Sequence, residues 1–122
     1  METRATCLNC MDGRVQLPVI SWIKANYSVD FVDVITETGM DGVLAKQDDI
    51  SEVLRSIKVS VNINNSTRLF VVGHYDCRGN PVEENEHRQE IIISVDRIRK
   101  YWPKHDVIGL WVNNQWQVER IS

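Results

Sequence analysis

Hydrophobic and polar positions along this chain switch repeatedly between the period of a strand and the period of a helix. Residues 4–9 read as a short strand that buries Ala5, Cys7 and Leu8. Pro18 suits the first turn of a helix, where its missing N–H would find no partner, and Val19, Ile20, Trp22 and Ile23 follow at helical spacing. Phe31-Val32-Asp33-Val34-Ile35-Thr36 is apolar and β-branched, so a second strand. Gly39 and Gly42 mark a loop. Asp48 or Asp49 caps a helix whose apolar face is Ile50, Val53, Leu54, Ile57 and Val61. Leu69-Phe70-Val71-Val72-Gly73 is a continuous apolar run, the mark of a strand covered on both faces. A helix from about Glu84 to Tyr101 buries Ile91, Ile92, Val95 and Ile98, with Pro103 just past its end. Val107 to Val112 is a fourth strand, and Asn113-Asn114 turns the chain back through Trp116 to Ile121.

The order is therefore β-α-β-α-β-α-β-β. Strands that alternate with helices build a mostly parallel sheet with helices on both faces. We expect one α/β domain over residues 1–122, strand order about 2-1-3-4-5, the last strand antiparallel. A chain of 122 residues is long enough to bury a substantial core. In that order the first and third strands are neighbours, and open α/β sheets bind ligands at such a switch point, outside the carboxyl ends of the strands.

A net charge of -3 gives no electrostatic footprint for nucleic acid or a membrane surface, so neither is an expected partner. No apolar run approaches the roughly 18 residues of a membrane span. Met1-Glu2-Thr3-Arg4-Ala5 carries no apolar signal core. The expected location is the cytoplasm, where thiols stay reduced and grouped cysteines serve metals or catalysis more often than disulfides. The chain has 3 cysteines, an odd number that a closed set of disulfides cannot use up.

Two short motifs carry the chemistry. Cys10-x-Asp12-x-Arg14 follows the first strand and His74-x-x-Cys77 follows the third. Two thiolates and an imidazole form a zinc set, and three protein ligands leave a fourth tetrahedral position. Cys10, His74 and Cys77 are the proposed ligands, with Gly73 letting the backbone turn sharply out of its strand. Asp12 is the candidate for the fourth position, and Arg14 competes for Asp12. If Arg14 holds the carboxylate in a charge-assisted, often bidentate pair, the position goes to water. Zinc lowers the pKa of that water toward about 7, and zinc hydroxide is then the nucleophile that Asp12 orients. If Arg14 lets go, Asp12 ligates the zinc and closes the site. The plain alternatives are buried apolar thiols and a surface ion pair of little energetic value. Cys7 and Cys10 have the spacing of a redox pair, but positions three apart in a strand face opposite ways, so Cys7 reads as core, with Cys10 beyond the strand.

Cys10-Met11-Asp12-Gly13-Arg14-Val15 and Val71-Val72-Gly73-His74-Tyr75-Asp76-Cys77 resemble the metal-site motifs of the β-class carbonic anhydrases. Thr38-Gly39-Met40 sits where that family has a small glycine-containing loop, and Val107-Ile108-Gly109-Leu110-Trp111-Val112 resembles its late strand. The resemblance covers most of the chain and is to a short member without the helical arm, because the sequence starts almost at the first strand. Where the family has Gly after the second Cys, this chain has Arg78 and then Gly79. The resemblance implies Zn2+ on Cys10, His74 and Cys77, an Asp12–Arg14 catalytic dyad, and Gly39 lining the substrate pocket. It implies a homodimer or higher even oligomer and a lyase that hydrates carbon dioxide to bicarbonate. Some relatives hydrolyse carbon disulfide or carbonyl sulfide at the same zinc, so a sulfur analogue is a second substrate reading. A non-catalytic zinc domain, closed by Asp12, is another use of the same residues.

Other positions have more ordinary readings. His87 is expected as a solvated imidazole on a helix face, with proton shuttling as its functional alternative. Arg78 is expected to pair with Glu83 and Glu84 at the surface, the alternative being an anion at the mouth of the site. Asp76 is expected to brace its loop, and Trp111 and Trp116 belong either to the core or to an interface.

Overall fold

In the computed structural model, which describes residues 2–122, β1 (Arg4–Cys10), β2 (Phe31–Glu37), β3 (Arg68–His74), β4 (Asp106–Val112) and β5 (Val118–Arg120) form one sheet in the order β2-β1-β3-β4-β5. The first four strands are parallel and β5 runs antiparallel to β4, as the element order predicts. The apolar run of β3 is buried along almost its whole length because both faces are covered. Its side chains alternate: Leu69 and Val71 join one core, Phe70 and Val72 the other. The first core packs against α2 (Met40–Lys46), α3 (Ser51–Lys58) and α4 (Glu84–Tyr101) through Leu44, Ile57, Ile91 and Ile98. The second packs against α1 (Gln16–Tyr27) through Val19 and Ile23. Fully burying each such side chain stabilises by about 1.5–3 kcal/mol.

The amino-end half of the sheet is joined by hydroxyls. Buried Thr6 Oγ1 lies 2.6 Å from Ser60 Oγ and donates to Ser66 Oγ at 2.7 Å, while Ser60 donates to Asp33 at 2.7 Å. Ser60 reaches them from a single π-helical turn, Val59–Ile63, that continues α3. These groups satisfy one another, as buried polar atoms must.

Four local expectations are corrected. Residues after Gly39 form α2 and not a loop, because Met40 and Leu44, one turn apart, both bury against the sheet. Ile92 is 45% exposed: the buried stripe of α4 runs through His87, Glu90, Ile91, Ser94, Val95 and Ile98, and Ile92 projects to its side. Cys10 is the last residue of β1 and does not lie beyond it. Gly73 likewise stays within β3, and its requirement is space. A Cβ there would stand 2.6 Å from Asp41 Oδ2 and 2.7 Å from Ile91 Cδ1. With Leu8 in register with Val71, both motifs start at the carboxyl ends of adjacent parallel strands.

Candidate metal centre

Cys10 ends β1, His74 ends β3, and Cys77 follows within the next turn. Their sulfur and nitrogen atoms all lie within 4.8 Å of one another, and all three residues are buried. His74 Nδ1 lies 2.7 Å from the Tyr75 carbonyl oxygen, which can only accept, so Nδ1 carries the proton. The lone pair is thereby left on Nε2, which is buried without a hydrogen-bond partner. Two thiols and an unpaired imidazole nitrogen converging in a buried space fit a zinc ion.

The electrostatics point the same way. The Cys77 thiol donates to Cys10 and holds the Cys10 pKa well below the usual thiol range, with further help from His74 and the Gly39 N–H against the cost of burial. A thiolate on Cys10 in turn pushes Cys77 well above that range, and burial adds to the effect. Burial alone would lower the His74 pKa, but the negative charge of a nearby Cys10 thiolate and the bond to the Tyr75 carbonyl leave it raised. A divalent cation supplies the positive charge that lets both sulfurs be thiolates.

Asp12 is turned to Arg14. Arg14 Nε donates to Asp12 Oδ1 at 3.1 Å and Oδ2 at 3.2 Å, and Nη2 donates to Oδ2 at 2.7 Å. The Arg14 backbone N–H donates to Oδ1 at 2.9 Å, so the Asp12 carboxylate also caps the 3-10 turn Gly13–Val15. Hydrogen bonding to Arg14 lowers the Asp12 carboxyl to a pKa of about 2. Arg14 is gripped from behind as well: Nη1 donates to Asp76 Oδ2 at 3.2 Å and Nη2 to the Asp76 carbonyl at 3.0 Å. The Trp116 ring covers its guanidinium at 4.6 Å. Asp76 and Trp116 both adopt positive φ, 55° and 60°, so two strained backbones serve one arginine.

Gly39 enters the site through its N–H, which donates to Cys10 Sγ at 3.4 Å. Its φ of 63° and the nearness of Gly79 and Asn80 leave no room for a side chain. Asn80 ties the loop down: Nδ2 donates to Asp41 at 3.1 Å and to Glu90 at 2.8 Å, and Oδ1 accepts from Lys46 at 2.9 Å.

His87 is not solvated. It is 1% exposed, and its Nδ1 lies 2.6 Å from Asp41 Oδ2. Periodicity in α4 gave no warning, since Asp41 comes from an element forty-six positions earlier in the chain. Asp41, His87 and Glu90 also bring donor atoms within 4.8 Å of one another. Lys46 pairs with Glu90 at 2.9 Å and the Asn80 amide bridges both carboxylates, so cationic and N–H groups of the protein already serve this cluster. Among the described residues Arg78 makes no ion pair with Glu83 or Glu84, contrary to expectation, and it borders two cavities instead. One, of about 360 Å³, is lined by Asp12, Gly13, Arg14 and Arg78. The other, of about 470 Å³, is bounded by Tyr75, Cys77, Pro81, Val82, His87 and Trp111.

Residues 1–122 match the protein family described as "Putative carbonic anhydrase". No curated protein matches the chain by sequence. Solved β-carbonic anhydrases share the fold. A tetrameric enzyme of Sordaria macrospora superposes with a TM-score of 0.70 at 10% identity, covering 100% of this chain and 82% of the other. Isoform I of Trichomonas vaginalis gives 0.64 at 17% identity, covering 98% and 83%. The enzyme of Aspergillus fumigatus gives 0.53 at 12% identity, covering 99% and 76%.

Proposed function

We propose that this chain, which belongs to the carbonic anhydrase family, hydrates carbon dioxide to bicarbonate with a zinc ion held by Cys10, His74 and Cys77. The observation that carries the reading is the convergence of two buried thiols with a His74 Nε2 that has no partner in the protein. Bound there, zinc supplies Lewis acidity that makes water a nucleophile near neutral pH.

The protein's own residues would do the rest. Arg14 holds the Asp12 carboxylate by two side-chain donors, so the carboxylate is kept from the metal. Asp12, ionised at any working pH, accepts a hydrogen bond from the attacking water and aims its lone pair at the carbon. Asp76 and Trp116 hold Arg14 in place for that task. Gly39 steadies the Cys10 sulfur, and its loop borders the substrate. Arg78, free of any ion pair among the described residues, offers a cation to the anionic product beside Asp12. The bonds from Arg14 to Asp12 favour this working state over a site closed by the carboxylate.

The apolar side chains Phe31 and Val34 stand exposed on the edge strand β2, which suits a homodimer or higher even oligomer, and three free thiols suit the cytoplasm. The test is zinc content by mass spectrometry together with carbon dioxide hydration by stopped flow from about pH 7 to 9, the range in which a metal-activated water ionises. Near-stoichiometric zinc and a rate that rises with pH are expected. Bound zinc without turnover would refute the substrate, and carbon disulfide would be tried next. Absence of zinc would refute the site.

A further inference from the structure

Cys10 and Asp12 are tied to each other by a side chain that belongs to neither motif. Gln16, the first residue of α1, turns its amide back over the preceding loop. Its Nε2 donates to the Cys10 carbonyl at 2.7 Å and to the Asp12 carbonyl at 2.9 Å. An amide nitrogen carries two N–H donors, and both are used here. One nitrogen serves two carbonyls two residues apart, so the backbone between them has to curl round it, and Met11 is left exposed.

The dyad needs such a tie, because its two members are anchored separately. Arg14 is fixed from outside its own loop, by Asp76 beyond β3 and by the Trp116 ring on the turn before β5. Neither of these holds the Asp12 backbone. The Val15 N–H reaches the Asp12 carbonyl at 3.3 Å, a longer bond than the one from Gln16. A second amide, the buried one of Asn9, secures the ends of the same loop. Its Oδ1 accepts from the Cys10 N–H at 2.9 Å and its Nδ2 donates to the Val15 carbonyl at 3.2 Å. Of these two amides, Gln16 is the one that reaches Asp12.

We propose that Gln16 is a positioning residue for the dyad: its amide sets where Asp12 stands relative to Cys10, so that the carboxylate bonded to Arg14 faces the water being activated. This rests on the hydration reading given above. Gln16 acts through Asp12, and what it supplies is a pair of N–H donors. Displacing a reacting group by about 1 Å can cost about a hundredfold in rate, so a tie of this kind bears on turnover. Gln16 is half-buried at the start of its helix, whose buried residues are Val19 and Ile23, so the fold does not depend on it.

The test uses the full chain and three variants. Gln16→Met keeps the length without charge or donor, Gln16→Glu keeps the shape without either N–H, and Gln16→Lys restores N–H donors. Zinc content is measured, with kcat and KM for carbon dioxide counted per bound zinc. The Arg14 Nε–H of the metal-free, 15N-labelled protein is followed by NMR and assigned with Arg14→Lys. Gln16→Met and Gln16→Glu are expected to keep zinc, lose kcat by about tenfold or more with KM little changed, and shift the Arg14 Nε–H. Gln16→Lys should recover part of the kcat and move the resonance back toward its parental place. Parental kcat in Gln16→Met or Gln16→Glu would overturn the proposal, as would a loss that vanishes when counted per bound zinc. A lysine variant as slow as the other two would also overturn it, since the donors would then not matter. If the parent binds zinc without hydrating carbon dioxide, the hydration reading fails and the Arg14 Nε–H decides. A shift on deletion that lysine reverses then supports the tie, and an unmoved resonance overturns it.

Discussion

Replacing Gly39 with alanine tests how the fold holds the Cys10 sulfur. Gly39 has φ of 63°, and an added Cβ would stand 2.8 Å from the Gly79 carbonyl carbon and 2.9 Å from both the Gly79 oxygen and Asn80 Cβ. The left-handed conformation costs an L residue about 1–2 kcal/mol. Backbone atoms cannot rotate out of the way as a side-chain tip can, so overpacking adds about 1–3 kcal/mol. The sum, about 2–5 kcal/mol, is a large part of the 5–15 kcal/mol that holds an ordinary domain together. The neighbouring loop must shift, and the Gly39 N–H that donates to Cys10 at 3.4 Å shifts with it. Zinc affinity should then fall by about tenfold or more, the usual effect of losing a group that supports a ligand. Urea unfolding of the metal-free protein reads the first quantity, and chelator competition reads the second. Gly13→Ala is the control, since nothing lies within 4 Å of a Cβ there. It should stay within about 0.5 kcal/mol of the parent. A Gly39→Ala protein as stable as the Gly13→Ala control, with unchanged zinc affinity, would refute both the enforced backbone and the support of Cys10.

Three further outcomes are expected. Asp12→Asn should retain zinc and lose turnover by about a hundredfold or more, because the amide no longer accepts as a carboxylate does; unchanged turnover removes Asp12 from the mechanism. Trp116→Ala strips a cation–π contact from the half-exposed Arg14, worth about 0.5–1 kcal/mol, so turnover should drop about two- to fivefold at constant zinc content. Trp116→Phe should recover part of that loss, and an alanine variant at full rate would show that the ring does not hold Arg14. Burial raises the Cys7 thiol to a pKa of about 12, so its neutral form is the one the fold prefers. Stability present below the unfolded thiol's pKa is lost as pH rises from about 9 through about 12, at about 1.4 kcal/mol per unit from this one group. Urea midpoints across that window should fall less steeply for Cys7→Ala than for the parent, and parallel curves would show that Cys7 does not titrate from the core.

Much of the architecture is readable in the pattern of the residues. The run Leu69–Gly73 reads as a doubly covered strand, and the spacing of Ile91, Val95 and Ile98 reads as one side of a helix, although Ile92, read with them, is exposed. Such patterns are local, because side chains alternate every two residues in a strand and recur every three to four in a helix. Alternation of the elements then leads to the parallel sheet, and the sheet brings the ends of β1 and β3 side by side. The three donors at those ends were therefore legible as a cluster from their spacing and chemistry alone.

What the chain could not reveal locally is which partner each polar group finds. Periodicity allowed His87 to be a surface residue; burial against Asp41, contributed by α2, made it an interior one. The two glycines around Met40 looked like a loop, but Met40 and Leu44 gain enough by burial against the sheet to hold a short helix. Gly73 looked like a turn and proved to be a gap that admits Asp41 and Ile91. Asp12 had two possible partners in the sequence, and Arg14 is bonded to it in a fold where Asp76 and Trp116, far along the chain, already grip the guanidinium. Element type and donor chemistry belong to residues and their near neighbours, so the sequence alone determined them. Burial, protonation and ion pairing depend on groups that only the folded chain brings within a few ångströms, and the tertiary structure decided those.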